Sequence, residues 1–228
     1  MIVESLTGVT LAGGAPFSRR ELARALRYAP RLVAADGGAD RLLQLGARPE
    51  AVIGDFDSIS AEARAQLPGR LYPIEEQETT DFDKALRSIS APFVLGLGFA
   101  GARADHGLAV LNTMVRYPGH RCLILSGSDV TFLAPRRLKL RLAKGSRVSL
   151  FPMAVVRGTS SGLRWPIDGL DFGPDGRVGT SNEVLEPEVT LTFDADRMLV
   201  ILPVRSLAAV LDGLALRGSD RPSNARAE

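Results

Sequence analysis

Residues 52–59 read Val52-Ile53-Gly54-Asp55-Phe56-Asp57-Ser58-Ile59, an apolar run that passes through glycine into two acidic residues one apart. Side chains at positions i and i+2 of an extended segment point to the same side. We therefore expect Asp55 and Asp57 to present two carboxylates together, with Phe56 turned away into packing. Adjacent carboxylates repel unless a cation neutralises them, and their hard oxygens suit Mg²⁺. The alternative is a polar loop after a strand, where Asp and Gly are common.

The first half of the chain alternates such apolar runs with segments of helical periodicity. Ser18 and Glu21 match a capping box that opens a helix ending near Tyr28. Strands that alternate with helices predict a mostly parallel sheet with helices on both faces, and ligands bind beyond the carboxyl ends of its strands. The predicted strands cover residues 9–12, 32–35, 51–53, 93–97 and 122–125, and their ends lead into Gly13, Asp36, Asp55 and Gly98.

The second half of the chain has a different pattern of apolar and polar residues. Residues 137–142 alternate strictly between basic and apolar, which is typical of a strand with one solvent-exposed face. We favour this interpretation over a patch that binds nucleic acid. Short strands without helices between them predict an antiparallel β-sandwich. We expect an α/β domain over residues 1–127, a sandwich over 128–206 and a partly disordered tail over 207–228. The further strands are expected at residues 147–151, 189–193 and 198–202.

Composition limits the class of protein. The 228 residues are 45% hydrophobic and 24% charged, as in ordinary globular proteins, and the net charge of +2 gives no support for nucleic-acid binding. The single cysteine, Cys122, excludes an internal disulfide and favours a reducing compartment. Since no apolar run approaches the ~20 residues that span a bilayer, we expect no membrane association and a cytoplasmic location.

A second acidic stretch runs from Glu76 to Lys84. Thr79 or Thr80 is expected to cap a helix whose first free amides face an anion. Asp81 and Lys84, three residues apart, would then share one face and combine a metal-binding carboxylate with a phosphate-binding ammonium. The alternative is a capped surface helix with an ordinary ion pair.

A third stretch, Gly96 to Gly101, matches the G-x-G-x-x-G pattern of dinucleotide-binding proteins. The match is weak because the acidic residue expected ~20 positions later is missing. The chain has neither a phosphate-binding loop of the Walker type nor a G-x-S-x-G motif. We therefore favour the interpretation of His106 as a residue at the start of a helix over its interpretation as a catalytic residue.

Six motifs follow one another along the chain, at residues 35–40, 54–58, 77–82, 101–106, 161–165 and 180–182. Taken together, they resemble those of the thiamine pyrophosphokinase family, and the resemblance extends over residues 9–203. It implies an N-terminal, Rossmann-like α/β domain that binds Mg²⁺ and ATP, a C-terminal β-sandwich, and a homodimer that combines residues of both subunits in each site. The implied reaction moves the pyrophosphoryl group of ATP to the hydroxyl of thiamine and releases AMP.

The resemblance also implies roles for residues at matching positions. The metal cluster would consist of Asp36, Asp55, Asp57 and Asp81. Catalysis would use Asp55, Asp57, Asp81, Lys84 and Arg103. The nucleotide would contact Asp36, Gly37, Thr80, Asp105 and His106. Thiamine would contact Gln77, Trp165, Ser181 and Asn182.

Three other functions stay open from the sequence. A pyrophosphokinase for another hydroxymethyl heterocycle, such as a pterin, would keep the acidic cluster but need other contacts around Trp165. A nicotinamide-dinucleotide-binding protein would use the glycines at 96–101 and would not need the acidic cluster. A non-catalytic thiamine- or nucleotide-binding regulator would release no AMP. Within the enzyme reading, either Asp55 or Asp57 would orient or accept the hydroxyl proton.

Overall fold

A computed structural model of the chain describes residues 1–101 and 103–216. Within these residues the strands form one sheet of ten strands, one of four and one of two. The helices are α1 (Arg19–Tyr28), α2 (Gly38–Gln44), α3 (Ala61–Gln66), α4 (Asp81–Arg87), α5 (Ala104–Arg116) and α6 (Leu207–Gly213). The strands are β1 (Val3–Glu4), β2 (Val9–Ala12), β3 (Arg31–Ala35), β4 (Ala51–Gly54), β5 (Leu71–Pro73), β6 (Ile89–Ser90), β7 (Val94–Leu97), β8 (Cys122–Ser126), β9 (Asp129–Leu133), β10 (Arg137–Arg141), β11 (Arg147–Pro152), β12 (Val156–Ser161), β13 (Asp171–Phe172), β14 (Gly179–Glu183), β15 (Glu188–Phe193) and β16 (Met198–Pro203).

The large sheet contains a parallel block in the order β8-β7-β2-β3-β4-β5. Its strands are apolar on both sides because helices cover both faces. Ala34 and Val52 pack in a core with α1, α2 and α3, whereas Val33 and Ile53 pack in a second core with α4 and α5. The predicted α/β class is confirmed.

The sheet as a whole is mixed, since four antiparallel strands in the order β9-β16-β11-β14 extend the parallel block. The strands of the second half therefore divide between two sheets: this extension, and a separate antiparallel sheet ordered β10-β15-β12-β13. Buried side chains from both, such as Leu150 and Leu191, belong to one core. The predicted boundary at residue 127 falls in the tight turn between the paired strands β8 and β9.

Several strands of the second half are not predicted from the sequence. β12 and β14 are rich in Ser, Thr, Gly and Asn, residues that are common in turns. Only about half of their positions are turned inward, so their apolar signal is weak. By contrast, β10 follows its predicted alternation, with Leu138 and Leu140 buried and the basic residues exposed.

The prediction of a tail from residue 207 is wrong for residues 207–216. These residues include α6, which packs against β10 and buries Leu207, Val210 and Leu211. The prediction extended to residue 207 a polar composition that begins only near residue 219. Residues 217–228 lie outside the described residues. Across residues 1–101 and 103–216, the helices lack the length and apolar character that crossing a bilayer requires.

The position of α6 predicts a stability effect. Leu211 is fully buried, so Leu211→Ala is expected to lower the free energy of unfolding by about 2–5 kcal/mol, measured by urea denaturation. Leu6 is 98% exposed, and Leu6→Ala, the matched control, is expected to stay within about 0.5 kcal/mol of the parent. Equal, small effects of the two changes would contradict the packing of α6.

Candidate functional site

A cleft of about 560 Å³ opens at the carboxyl edge of the parallel block. Its walls come from the segments that follow β2, β3, β4 and β7, together with α4 and the start of α5. This is where the strand order predicts a ligand. Of the predicted site residues, the lining includes Asp36, Gly37, Asp55, Thr80, Asp81, Lys84, Arg103 and His106.

The four predicted metal ligands come together at this edge. Asp36, Asp55, Asp57 and Asp81 each offer a carboxylate oxygen, and these oxygens all lie within 4.8 Å of one another. Gly54 lies between two of these residues, where a Cβ atom would stand 2.9 Å from Asp36 Cβ and 3.0 Å from Asp81 Oδ1. A side chain at this position would therefore force Asp36 or Asp81 to shift.

The turn after β4 is not the extended segment predicted from the sequence. Phe56 has a φ of 65°, in the left-handed region that non-glycine residues rarely adopt. Its conformation lets the Asp57 amide donate to Asp55 Oδ1 at 3.3 Å. Arg64 donates to the Phe56 carbonyl, and its guanidinium lies 5.7 Å from the centre of the Phe56 ring. Asp55 and Asp57 thus share the site because the chain turns tightly, and the predicted route through strand alternation is wrong.

Asp36 is the most buried carboxylate of the cluster, with 1% of its surface exposed. The backbone amides of Ser58 and Ile59 each donate to it at 3.0 Å, so it ties the end of β3 to the turn after β4. Burial raises the pKa of Asp36 to about 6, and the nearby carboxylates of Asp81 and Asp57 add to that rise. The two amides were not predicted, because backbone donors leave no signal in residue type.

Lys84 supplies a positive charge inside the cluster. It is 1% exposed, and its Nζ lies 2.7 Å from Asp55 Oδ2 and 3.4 Å from Asp81 Oδ1. Burial alone would lower the pKa of Lys84, but the hydrogen bond that Lys84 donates to Asp55 and the charges of both carboxylates outweigh burial and raise the pKa. The same contact lowers the pKa of Asp55, whereas burial and the Asp55 charge raise the pKa of Asp81.

The segment before α4 adds two predicted residues. Thr80 is the capping residue, since its side chain accepts the Asp83 amide at 3.3 Å. Thr79 instead donates to Glu76. Gln77 Nε2 donates to Asp55 Oδ2 at 3.2 Å, which places Gln77 beside the acidic cluster.

Arg103, Asp105 and His106 lie at the start of α5. Arg103 and His106 line the cleft, whereas Asp105 faces Arg103 in an exposed ion pair of 2.6 Å. The Arg103 hydrogen bond lowers the pKa of Asp105 to about 2. The structure therefore places Asp105 as the partner of Arg103 and not in the cleft wall.

Gly96 and Gly98 serve close packing around the end of β7, whereas a Cβ atom at Gly101 would have no other atom within 4 Å. Gly98 has a φ of 72°, and a Cβ atom there would stand 2.5 Å from the Gly13 carbonyl oxygen. The loop after β7 thus lies directly against the loop after β2. Both contribute to the cleft, together with Phe99, whose ring packs edge-on against Phe82 at 4.7 Å.

The remaining predicted residues form a second group, outside the lining of this cleft. Asn182 Nδ2 donates to the Trp165 carbonyl at 2.7 Å, and Asn182 Oδ1 accepts the Trp165 amide at 3.2 Å. Ser181 precedes Asn182 on β14. Trp165 is 54% exposed and lies beneath the Arg164 guanidinium, so its side chain lies outside the core.

The donor set of the cluster fits a hard divalent cation. Mg²⁺ is usually held by one or two carboxylates and completes its shell with water or phosphate oxygens. Four carboxylates lie around one point, which is more than one such cation requires from the protein. Lys84 pairs with two of them and balances part of their charge. A cation of this class would relieve the repulsion among them.

Comparison with known proteins identifies relatives of this arrangement. A family model described as "Thiamin pyrophosphokinase, catalytic domain" matches residues 22–125, and one described as "Thiamin pyrophosphokinase, vitamin B1 binding domain" matches residues 136–198. Thiamine pyrophosphokinase 1 of Oryza sativa subsp. japonica is 29% identical over 217 residues, which cover 77% of this chain and 82% of that protein.

Solved structures are similar in fold. The thiamin pyrophosphokinase of Geobacillus thermodenitrificans superposes with a TM-score of 0.69 at 25% identity, covering 86% of this chain and 97% of that chain. The thiamin pyrophosphokinase of Candida albicans superposes with a TM-score of 0.73 at 16% identity, covering 88% of this chain and 93% of that chain.

The acidic cluster predicts Mg²⁺ binding. Because a ligand that binds only the folded state raises the melting temperature, Mg²⁺ is expected to stabilise the protein in a concentration-dependent way. Asp57→Asn should weaken the apparent affinity about tenfold or more, since the loss of even a supporting partner of a metal ligand has that effect. Asp175→Asn, an exposed change outside the cluster, should leave the Mg²⁺ titration unchanged. Equal titration curves for Asp57→Asn and the parent would argue against the site.

Proposed function

The chain belongs to the thiamin pyrophosphokinase family, and we propose that it transfers the pyrophosphoryl group of ATP to the hydroxyl of thiamine, giving thiamine diphosphate and AMP. The observation that carries the proposal is the four-carboxylate cluster around buried Lys84. The cluster lies at the carboxyl edge of the sheet, within the segment that matches the catalytic-domain model.

Pyrophosphoryl transfer asks the protein for alignment and for neutralisation of negative charge more than for covalent chemistry. Lys84 suits this task because its raised pKa keeps the ammonium protonated at neutral pH. Asp55 and Asp81 hold that ammonium at the cleft wall, where it would contact a phosphate oxygen of ATP. Arg103, which lines the same cleft beside its partner Asp105, would bind a second phosphate.

We assign the metal to the acidic cluster. Asp36, Asp55, Asp57 and Asp81 would provide its protein ligands, and phosphate oxygens of ATP would provide others. Bound there, Mg²⁺ would neutralise the phosphates and help to align the β-phosphorus with the incoming hydroxyl. Asp36 has a further task, since its two backbone hydrogen bonds keep the turn of Asp55 and Asp57 in place.

The nucleotide would occupy the cleft between the loops after β2, β3 and β7. Gly37 and Thr80 line the cleft near the cluster, and His106 lines it from the start of α5. Attack by the thiamine hydroxyl on the β-phosphorus breaks the bond to the α-phosphate oxygen, and AMP leaves. The hydroxyl proton would go to Asp55 or Asp57, the two carboxylates of the tight turn.

Thiamine would lie between the acidic cluster and an aromatic contact. Gln77 is beside Asp55 and would hold one end of the substrate. Trp165, with Ser181 and Asn182, would hold the ring from the second group of residues. Since this group lies outside the lining of the cleft in one chain, we propose a homodimer in which one subunit brings its Trp165 group to the cleft of its partner.

The same proposal assigns the two halves of the chain to different tasks. Residues 1–127 would form the Rossmann-like unit that binds Mg²⁺ and ATP, and residues 128–206 the sandwich that binds thiamine and makes the dimer. The matched segments 22–125 and 136–198 support this division. The cytoplasmic location expected from the sequence stays a prediction.

The reaction class is tested with ATP labelled at the β-phosphate. We expect the label in thiamine diphosphate and AMP as the second product, because attack falls on the β-phosphorus. Reactions without thiamine should release no AMP beyond the background. Formation of ADP and thiamine monophosphate would instead identify a simple kinase and overturn the proposal.

Trp165 tests the thiamine contact. Because its side chain is 54% exposed, Trp165→Ala is expected to leave the melting temperature and the KM for ATP unchanged. Loss of a stacking contact should raise the KM for thiamine about tenfold. Val155→Ala, an exposed change in the same half, is the control and should leave both KM values unchanged. A large drop in melting temperature with an unchanged thiamine KM would show that Trp165 serves the core.

A further inference from the structure

A β-bulge interrupts the pairing of β14 with β11, next to the Trp165 group. Val148 pairs with Asn182 and Leu150 pairs with Gly179, so two residues, Thr180 and Ser181, oppose the single residue Ser149. Bulges of this kind occur beside binding sites, where they change the direction of a side chain. Asn182 is the first residue of β14 that resumes regular pairing after this bulge, opposite Val148.

Ser181 carries the strain of this bulge. Its φ of 62° lies in the left-handed region, which is unfavourable for a residue with a Cβ atom. The Ser181 amide donates to the hydroxyl of Ser149 at 3.0 Å, so the amide that the bulge removes from the strand pairing keeps a partner. Ser149 is only 3% exposed, so its hydroxyl offers the Ser181 amide a partner at the protected side of a part-buried hydrogen bond.

The Ser149 hydroxyl is itself held in place. Arg147, two residues earlier on the same side of β11, donates to Ser149 Oγ at 3.4 Å. The other end of the Arg147 guanidinium pairs with Asp129 on β9, across β16. Two donors therefore converge on the one oxygen that accepts the Ser181 amide.

Asn182 connects β14 to Trp165 through hydrogen bonds. Its side chain is 8% exposed and bonds to both the amide and the carbonyl of Trp165, while its Oδ1 also accepts the Glu183 amide at 2.8 Å. These bonds fix the backbone of an otherwise exposed aromatic residue. The backbone of Trp165 is thus tied to the residue of β14 that follows the bulge.

We propose that Ser149 is a positioning residue for the thiamine side of the site. Its hydroxyl stabilises the bulge at Ser181, the bulge orients Asn182, and Asn182 holds the loop of Trp165 so that the ring faces the substrate. Ser149 acts through these residues and does not itself touch thiamine. The substrate in this statement rests on the proposed function, whereas the control of the Trp165 loop does not.

The test combines kinetics with the fluorescence of Trp165, the single tryptophan of the chain. In Ser149→Ala, the steady-state anisotropy of Trp165 should fall, and the KM for thiamine should rise about three- to tenfold, the effect of losing one neutral hydrogen bond. The KM for ATP should stay unchanged. Ser149→Thr keeps the hydroxyl and should restore both the anisotropy and the thiamine KM toward the parent values.

Thr10→Val is the matched control. It removes another buried hydroxyl, which donates to the Ala29 carbonyl at 2.6 Å in the first half of the chain, and it should change neither quantity. A lower anisotropy with an unchanged thiamine KM would support the positioning role and overturn the assignment of Trp165 to thiamine. Unchanged anisotropy and KM in Ser149→Ala, or equal effects of Ser149→Ala and Ser149→Thr, would overturn the positioning role.

Discussion

Repulsion among four carboxylates at one edge of a sheet is the constraint on which the site depends. Their oxygens lie within 4.8 Å of one another, and the buried ammonium of Lys84 pairs with two of the four. A buried ammonium is tolerated only with partners, so Lys84 and the carboxylates require each other. The apolar side of α4, with Phe82, Ala85 and Leu86 in the core, anchors the helix that carries both Asp81 and Lys84. Packing on one face of the sheet thereby fixes the charge distribution at its edge.

The carboxyl edge of the parallel strands could be predicted from the sequence because the residues that form it follow strong local patterns. Strands buried on both faces are apolar throughout, and the polar residues that follow them are easy to place at one edge. Asp36 and Asp55 were placed at this edge in that way, whereas the cluster of Asp36, Asp55, Asp57 and Asp81 was predicted from the resemblance of the motifs to a known family. The conformation that joins it was not, since the left-handed Phe56 and the amides that bind Asp36 follow from tertiary contacts and not from residue type.

The second half was harder to predict for a related reason. Strands with one wet face and many Ser, Thr and Asn residues, such as β12 and β14, resemble loops. Whether a strand continues the large sheet or joins the smaller one is decided by partners far away in sequence, as with the pairing of β9 and β16. The short apolar helix α6 lies just before a polar stretch, and the composition of that stretch led to the prediction of a tail that included α6. The separation of Trp165, Ser181 and Asn182 from the cleft likewise follows from the topology of the sheets. The order of the motifs along the chain does not reveal that topology.

The insertion of β16 between β9 and β11 has a consequence for synthesis of the chain. The parallel block and the hairpin of β8 and β9 are complete in sequence by residue 133, but the open side of β9 has no partner until residues 198–203 have been made. An unpaired, largely buried strand edge is a template for association with other chains. At ~5–20 residues per second, the remaining stretch takes several seconds to leave the ribosome. During that interval the nascent protein exposes the backbone of β9, and closure of the sheet awaits β16, the last strand to emerge among the described residues.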